Sequence, residues 1–157
     1  FALLFRYIFP YKSFVIQLII GLLAGSLLQL IFPFLTENNL GLEVMFKNNL
    51  GPITLHEHIH YFKEIRPRET ITVSLEISGH SDDGRFLMFE HNFYNAEGKN
   101  LAYAEILFSW IDIKKRKIAV IPEEMLAVIE GFPRSFNFQV LSKEDTRRYG
   151  RMPKDLT

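Results

Sequence analysis

Charge is spread so unevenly along this chain that no single environment suits all of it. Residues 13–36 include no charged side chain, and before Asn38 only Arg6, Lys12 and Glu37 carry one. The rest of the 18 Lys+Arg and 18 Asp+Glu lie in residues 38–157. Within the uncharged run, residues 14–35 (FVIQLIIGLLAGSLLQLIFPFL) are long enough, as a helix rising 1.5 Å per residue, to reach about 33 Å, near the thickness of a bilayer's hydrocarbon. Gln17, Gly21, Gly25 and Gln29 recur every four residues, a stripe of small or amide side chains suited to close helix–helix contact in lipid. A helix buried all round in a soluble core is the other reading. The expectation is a long apolar, transmembrane-type helical segment over residues 1–37, with possible membrane association through 13–36.

The second segment has a different rhythm. Leu40, Leu42, Val44, Met45 and Phe46 precede Asn48-Asn49-Leu50-Gly51-Pro52, a short helix stopped by Asn, Gly and Pro. Four runs of strand character follow, over residues 53–65, 70–78, 86–94 and 101–113. In the second, Ile71, Val73, Leu75 and Ile77 alternate with Thr70, Thr72, Ser74 and Glu76, so one face is apolar. The fourth is longer and more apolar throughout, which predicts burial on more than one side. Turns at 66–69, 81–84, 95–98 and the basic 114–117 join them, implying an antiparallel meander. Pro122 opens a short helix to about Glu130, and residues 132–157 read as a polar, irregular tail.

Composition excludes several classes. Net charge is zero and no basic stripe runs along the chain, so nucleic acid is not an expected partner. There is no cysteine, which removes disulfides and cysteine chemistry.

Two resemblances attach to these segments. The stretch FALLFRYIFPYKSFVIQLIIGLLAGSLLQLIFPFLTE resembles the first transmembrane segment of a bacterial peptide-exporting ABC transporter, through Tyr7, Pro10, Tyr11 and Lys12 before the span and Pro33 and Thr36 closing it. No Gly-x-x-x-x-Gly-Lys-Ser/Thr loop follows, so ATP hydrolysis by that mechanism is excluded.

Residues 38–157 resemble the hotdog-fold acyl-CoA thioesterases, the 4-hydroxybenzoyl-CoA thioesterase-like proteins. The marks are Leu50-Gly51-Pro52, Ile59 with Tyr61-Phe62-Lys63-Glu64-Ile65, the Asn95–Gly98 hairpin before Leu101-Ala102, and Trp110-Ile111-Asp112-Ile113-Lys114 with Arg116-Lys117. Ile121-Pro122-Glu123-Glu124 and the ending Arg151-Met152-Pro153-Lys154-Asp155-Leu156 complete them. The resemblance implies an α+β hotdog fold, an antiparallel sheet around a helix. It also implies hydrolysis of an acyl-CoA thioester, no cofactor beyond the CoA of the substrate, a homodimer or higher oligomer, and a cytoplasmic location. In that family a carboxylate activates water or attacks the thioester, and backbone N–H groups at the start of the central helix hold the oxyanion. The Asp-x-x-x-x-His-Met-like motif of the family's first strand and turn is absent here. The sequence therefore reads as an N-terminally incomplete hotdog domain over 38–131, preceded by the apolar helix.

The candidate site lies on the second strand, where His56, Glu57, His58 and His60 cluster. Alternation puts the histidines on one face and Glu57 on the other with Leu55 and Ile59. A carboxylate among apolar neighbours has a raised pKa, which suits acid–base work; a solvated edge glutamate is the plainer reading. His58 aligns with a histidine that recurs in related thioesterases. Three histidines at i, i+2 and i+4 have the spacing for chelation. Without cysteine or a clear carboxylate partner, a polar strand face is the preferred reading, and no metal is assigned. Arg66, Lys115 and Arg116 are candidates for the CoA phosphates, against the alternative of solvated turns. The function expected is acyl-CoA thioester hydrolysis, weakened by the missing motif. A membrane-anchored non-catalytic module and a chimera of exporter and thioesterase fragments are the alternatives. Arg6 and Lys12 before the span would keep the N-terminus in the cytoplasm and place the domain outside, away from acyl-CoA.

Overall fold

A computed structural model of the chain describes residues 3–8 by their backbone, and residues 36–38, 41–148 and 152–155. The expected span over 13–36 therefore lies almost wholly outside the described residues, and among these no helix is long and apolar enough to cross a membrane. The elements in chain order are β1 (Leu3–Ile8), α1 (Leu42–Lys47), β2 (Leu50–Tyr61), β3 (Thr70–His80), β4 (Phe86–Tyr94), β5 (Asn100–Asp112) and β6 (Lys117–Ile118). After them come α2 (Glu123–Glu130), β7 (Arg134–Val140) and a 3₁₀ turn (Lys143–Arg147).

The strands form one sheet in the order β1-β3-β4-β5-β2, with β6 paired to β5 and β7 to β3. The meander expected from the turns is present, since β3 to β4 and β4 to β5 pair antiparallel. β1 corrects the expectation of an incomplete sheet. Its backbone pairs antiparallel with β3 from Leu3↔Leu75 to Ile8↔Thr70, so the position of a first strand is filled by residues assigned to a transporter-like segment.

Residues directly opposite across a ladder share a face, so the registers sort every side chain. Leu75 and Ile77 of β3, Leu87 and Phe89 of β4, and Phe108 and Trp110 of β5 make one apolar face. Met45 of α1 and Met125 and Ile129 of α2 are buried against it. The same face continues through Ile71, Val73, Phe93, Ala102, Ala104 and Ile106. The other, outer face carries a smaller cluster of Phe86, Met88, Leu107 and Leu141, so β5 is buried on both sides, as its apolar run implied.

Two local features were not legible as strands and turns. A bulge between Thr54 and His56 shifts the register of β2, and Leu55 packs with the outer-face cluster instead of sharing the helix side with Glu57. After Gly131, where an irregular tail was expected, β7 pairs parallel with β3 and Leu141 N–H donates to His80 O at 2.9 Å. Gly79 permits this closure. A Cβ there would lie 2.8 Å from Gln139 O, closer than real Cβ contacts come.

Candidate functional site

β2 is the terminal strand of the sheet order, and its register with β5 fixes where each candidate points. Glu57 is opposite Ile106, on the helix side; His56, His58 and His60 are opposite Leu107, Glu105 and Tyr103, on the outer side. Glu57 and His58, both candidates from the sequence, therefore face opposite ways and do not meet on one substrate bond within a protomer. Glu57 is exposed, and the partial burial its strand gives it raises its carboxyl above the usual carboxylate range. The His58 and His60 rings lie with centroids 4.4 Å apart on the outer face. Among the described residues no group of three His, Asp or Glu side chains is arranged to hold a metal ion.

The outer face holds a polar row that the sequence reading did not pick out. Glu76, Glu90, Glu105 and His58 stand directly opposite one another across β3, β4, β5 and β2. The Tyr103 hydroxyl lies 3.4 Å from Glu90 Oε2 and 3.5 Å from Glu105 Oε2, and Arg148 reaches Glu105 Oε1 at 3.5 Å. Glu90, Tyr103, Glu105 and Arg148 line, with Ser78, Met88, Asn137 and Gln139, a cavity of about 250 Å³. Burial raises the Glu90 carboxyl, and the Glu76 charge adds to the shift. Burial pushes the Tyr103 hydroxyl up as well, reinforced by both glutamates. Burial lowers His56, partly offset by the Glu105 charge. The signal was present in the hairpin turn at 95–98, whose register sets Glu90 against Glu105.

Beyond the end of β2, Arg66 lies with Lys63, Glu64, Glu69, Asn95, Glu97, Lys99 and Leu101 around a cleft of about 400 Å³. Arg66 N–H donates to Glu69 Oε2 at 2.8 Å, which closes the turn and leaves the guanidinium exposed. Lys63 and Lys99 were missed because they are distant in sequence and meet only through the β2–β5 ladder. Lys115 and Arg116 sit at the other end of β5. A strand of that length spans about 40 Å, so they cannot share one phosphate group with Arg66 in the same protomer.

One more buried group stands out. His91, on the helix side of β4, is fully buried with Nδ1 3.0 Å from Ser74 O, while Nε2 has no hydrogen-bond partner. Burial lowers its pKa to about 4.

This strand order, with helices packed on one face of the sheet, is that of a hotdog domain. The model of the thioesterase-like superfamily matches residues 26–129, and the chain belongs to that superfamily. The match begins upstream of Glu37, so it crosses the boundary that the charge distribution suggested. The exporter resemblance of residues 1–37 finds no support in the comparisons or in the placement of β1.

The fold is similar to that of a Staphylococcus aureus protein solved in complex with CoA, at 17% identity and a TM-score of 0.65, over 99% of this chain and 97% of that one. It is also similar to a 1,4-dihydroxy-2-naphthoyl-CoA thioesterase from Synechocystis, at 18% identity and a TM-score of 0.59, over 80% and 95%. A 12:0-ACP thioesterase from Umbellularia californica matches at 16% identity and a TM-score of 0.65, over 100% of this chain and 63% of that one. No protein of curated function matches by sequence.

Proposed function

We propose that this chain is an acyl-CoA thioesterase in which Glu57 is the general base. The observation that carries the reading is the position of the Glu57 carboxylate on the helix-side face of the terminal strand in a thioesterase-like domain. Ionised Glu57 takes a proton from water as the water oxygen adds to the thioester carbonyl. The C–S bond then breaks, and the proton passes to the leaving sulfur to give free acid and CoA thiol. A base held above its usual pKa is better matched to proton abstraction near neutral pH.

Lys63, Arg66 and Lys99 receive the CoA phosphates in the cleft beyond β2, where Arg supplies paired N–H donors and Lys point charges. At about 3.3 Å per residue, Lys63 lies within about 20 Å of Glu57, a separation that an extended pantetheine arm can bridge. His58 stands on the opposite face and contributes no proton step here. As the terminal strand, β2 offers a ladder edge to a second copy, and edge pairing of two copies gives the homodimer we assign. The proposed CoA-borne substrate is the ground on which we assign a cytoplasmic location. The test is thiol release by the full chain from short-, medium- and long-chain and aromatic acyl-CoA. Release above the spontaneous rate supports the reading, and none from any of them overturns it.

A further inference from the structure

We propose that the hairpin between β5 and β6 is a docking element for an anionic lipid-bilayer surface. Four exposed cations follow one another there: Lys114, Lys115 and Arg116 make the turn, and Lys117 opens β6 opposite Asp112. Asp112 is the acid of the turn. Its Oδ1 accepts the Lys114 and Lys115 N–H groups at 2.9 and 2.8 Å, and its Oδ2 meets Lys115 Nζ at 3.4 Å. One carboxylate balances one of the four charges, and the excess stands out on a chain whose net charge is zero.

Beside the tip, the outer face of the sheet is aliphatic. Gly51, Ile111 and Ile118 are directly opposite one another across β2, β5 and β6, and the side chain of Ile113 rests over Gly51. Ile113 and Ile118 are 40% and 46% exposed, and Val120 lies exposed just beyond. An exposed apolar patch rimmed by polar residues is the usual mark of an interaction surface.

The chemistry favours a bilayer over a protein. Four consecutive exposed cations against one carboxylate are better met by a broad anionic surface than by a few acids at set points. A diffuse anionic plane can engage them together, acting within about a Debye length of 10 Å. Isoleucine side chains enter the headgroup–acyl boundary without needing polar partners.

The test is sedimentation of the full chain with vesicles of phosphatidylcholine, with and without phosphatidylglycerol. The expected result is partition onto the phosphatidylglycerol vesicles only, weakened by salt. Lys114→Gln with Lys115→Gln lowers the partition coefficient about thirtyfold. Ile113→Ser with Ile118→Ser lowers it at unchanged charge; should that variant not fold, the exposed lysine pair carries the test. Every variant retains residues 13–36, so partition that no hairpin substitution changes belongs to another segment and overturns the proposal. Binding to polyglutamate without binding to vesicles also overturns it, in favour of an acidic protein partner.

Discussion

His91 makes the fold sensitive to acid in a way that can be calculated from its position. Its ring is fully buried on the helix side, between Leu75 and Ala104 in the sheet register, and burial holds its pKa at about 4 against an ordinary 6.5. Between those values the unfolded chain binds a proton that the folded chain does not. The contribution to stability is therefore fully present above pH 6.5 and is lost as pH falls toward 4. At 1.36 kcal/mol per pKa unit, the loss relative to neutral pH is about 1 kcal/mol near pH 5.5 and about 2.5 kcal/mol near pH 4.5. The assay is urea unfolding of the native chain and of His91→Asn across this range. Asparagine keeps a donor for Ser74 O but does not titrate. The native chain should lose stability faster than the variant by those amounts. Parallel pH dependence of the two would refute the claim that His91 is held neutral inside the sheet.

Three further expectations follow from the packing and the clefts. Gly79→Ala forces a methyl against Gln139 O, and the steric cost should be about 1–3 kcal/mol in thermal or denaturant unfolding, with protease cleavage after Gly131 increased as β7 loosens. Phe89→Ala removes a ring stacked on Phe108 at 5.4 Å and packed edge-on to Phe132 at 5.2 Å; a loss of about 3–5 kcal/mol is expected in the denaturant midpoint analysis. Arg66→Ala should raise KM for acyl-CoA about tenfold with little change in kcat, whereas Arg116→Ala should leave KM unchanged.

Much of the sheet was legible because its signals are local. The clean alternation of β3 and the turn residues at 81–84 and 95–98 specify an antiparallel meander without reference to distant parts of the chain. What escaped was set by distant partners. β7 is seven residues, RSFNFQV, and it becomes a strand by pairing parallel with β3 more than fifty positions earlier, a contact that no local pattern announces. The bulge in β2 turns Leu55 over while leaving the Glu57–His58 alternation intact, so the faces of the site residues were readable although one apolar neighbour was not. β1 was obscured by the company it keeps. LLFRYI borders a long uncharged run, and the pull of that run toward lipid masked a six-residue strand whose partner is β3. Of the candidate site, the strand face of Glu57 was legible from sequence, while the Glu90–Tyr103–Glu105–Arg148 group needed the register of neighbouring strands and the end of the 3₁₀ turn.

The central claim is that thioester hydrolysis runs from the helix-side carboxylate of β2 and not from the histidines on its outer face. Steady-state thiol release by Glu57→Gln and His58→Gln, against the best acyl-CoA of the native chain, tests it most directly. The account predicts a loss in kcat/KM of at least about a hundredfold for Glu57→Gln, the scale of a removed general base, and a near-native value for His58→Gln. It also predicts that native activity declines as pH falls through the raised pKa of Glu57. A Glu57→Gln enzyme as active as the native chain, or a His58→Gln enzyme that is dead while still folded, would contradict it.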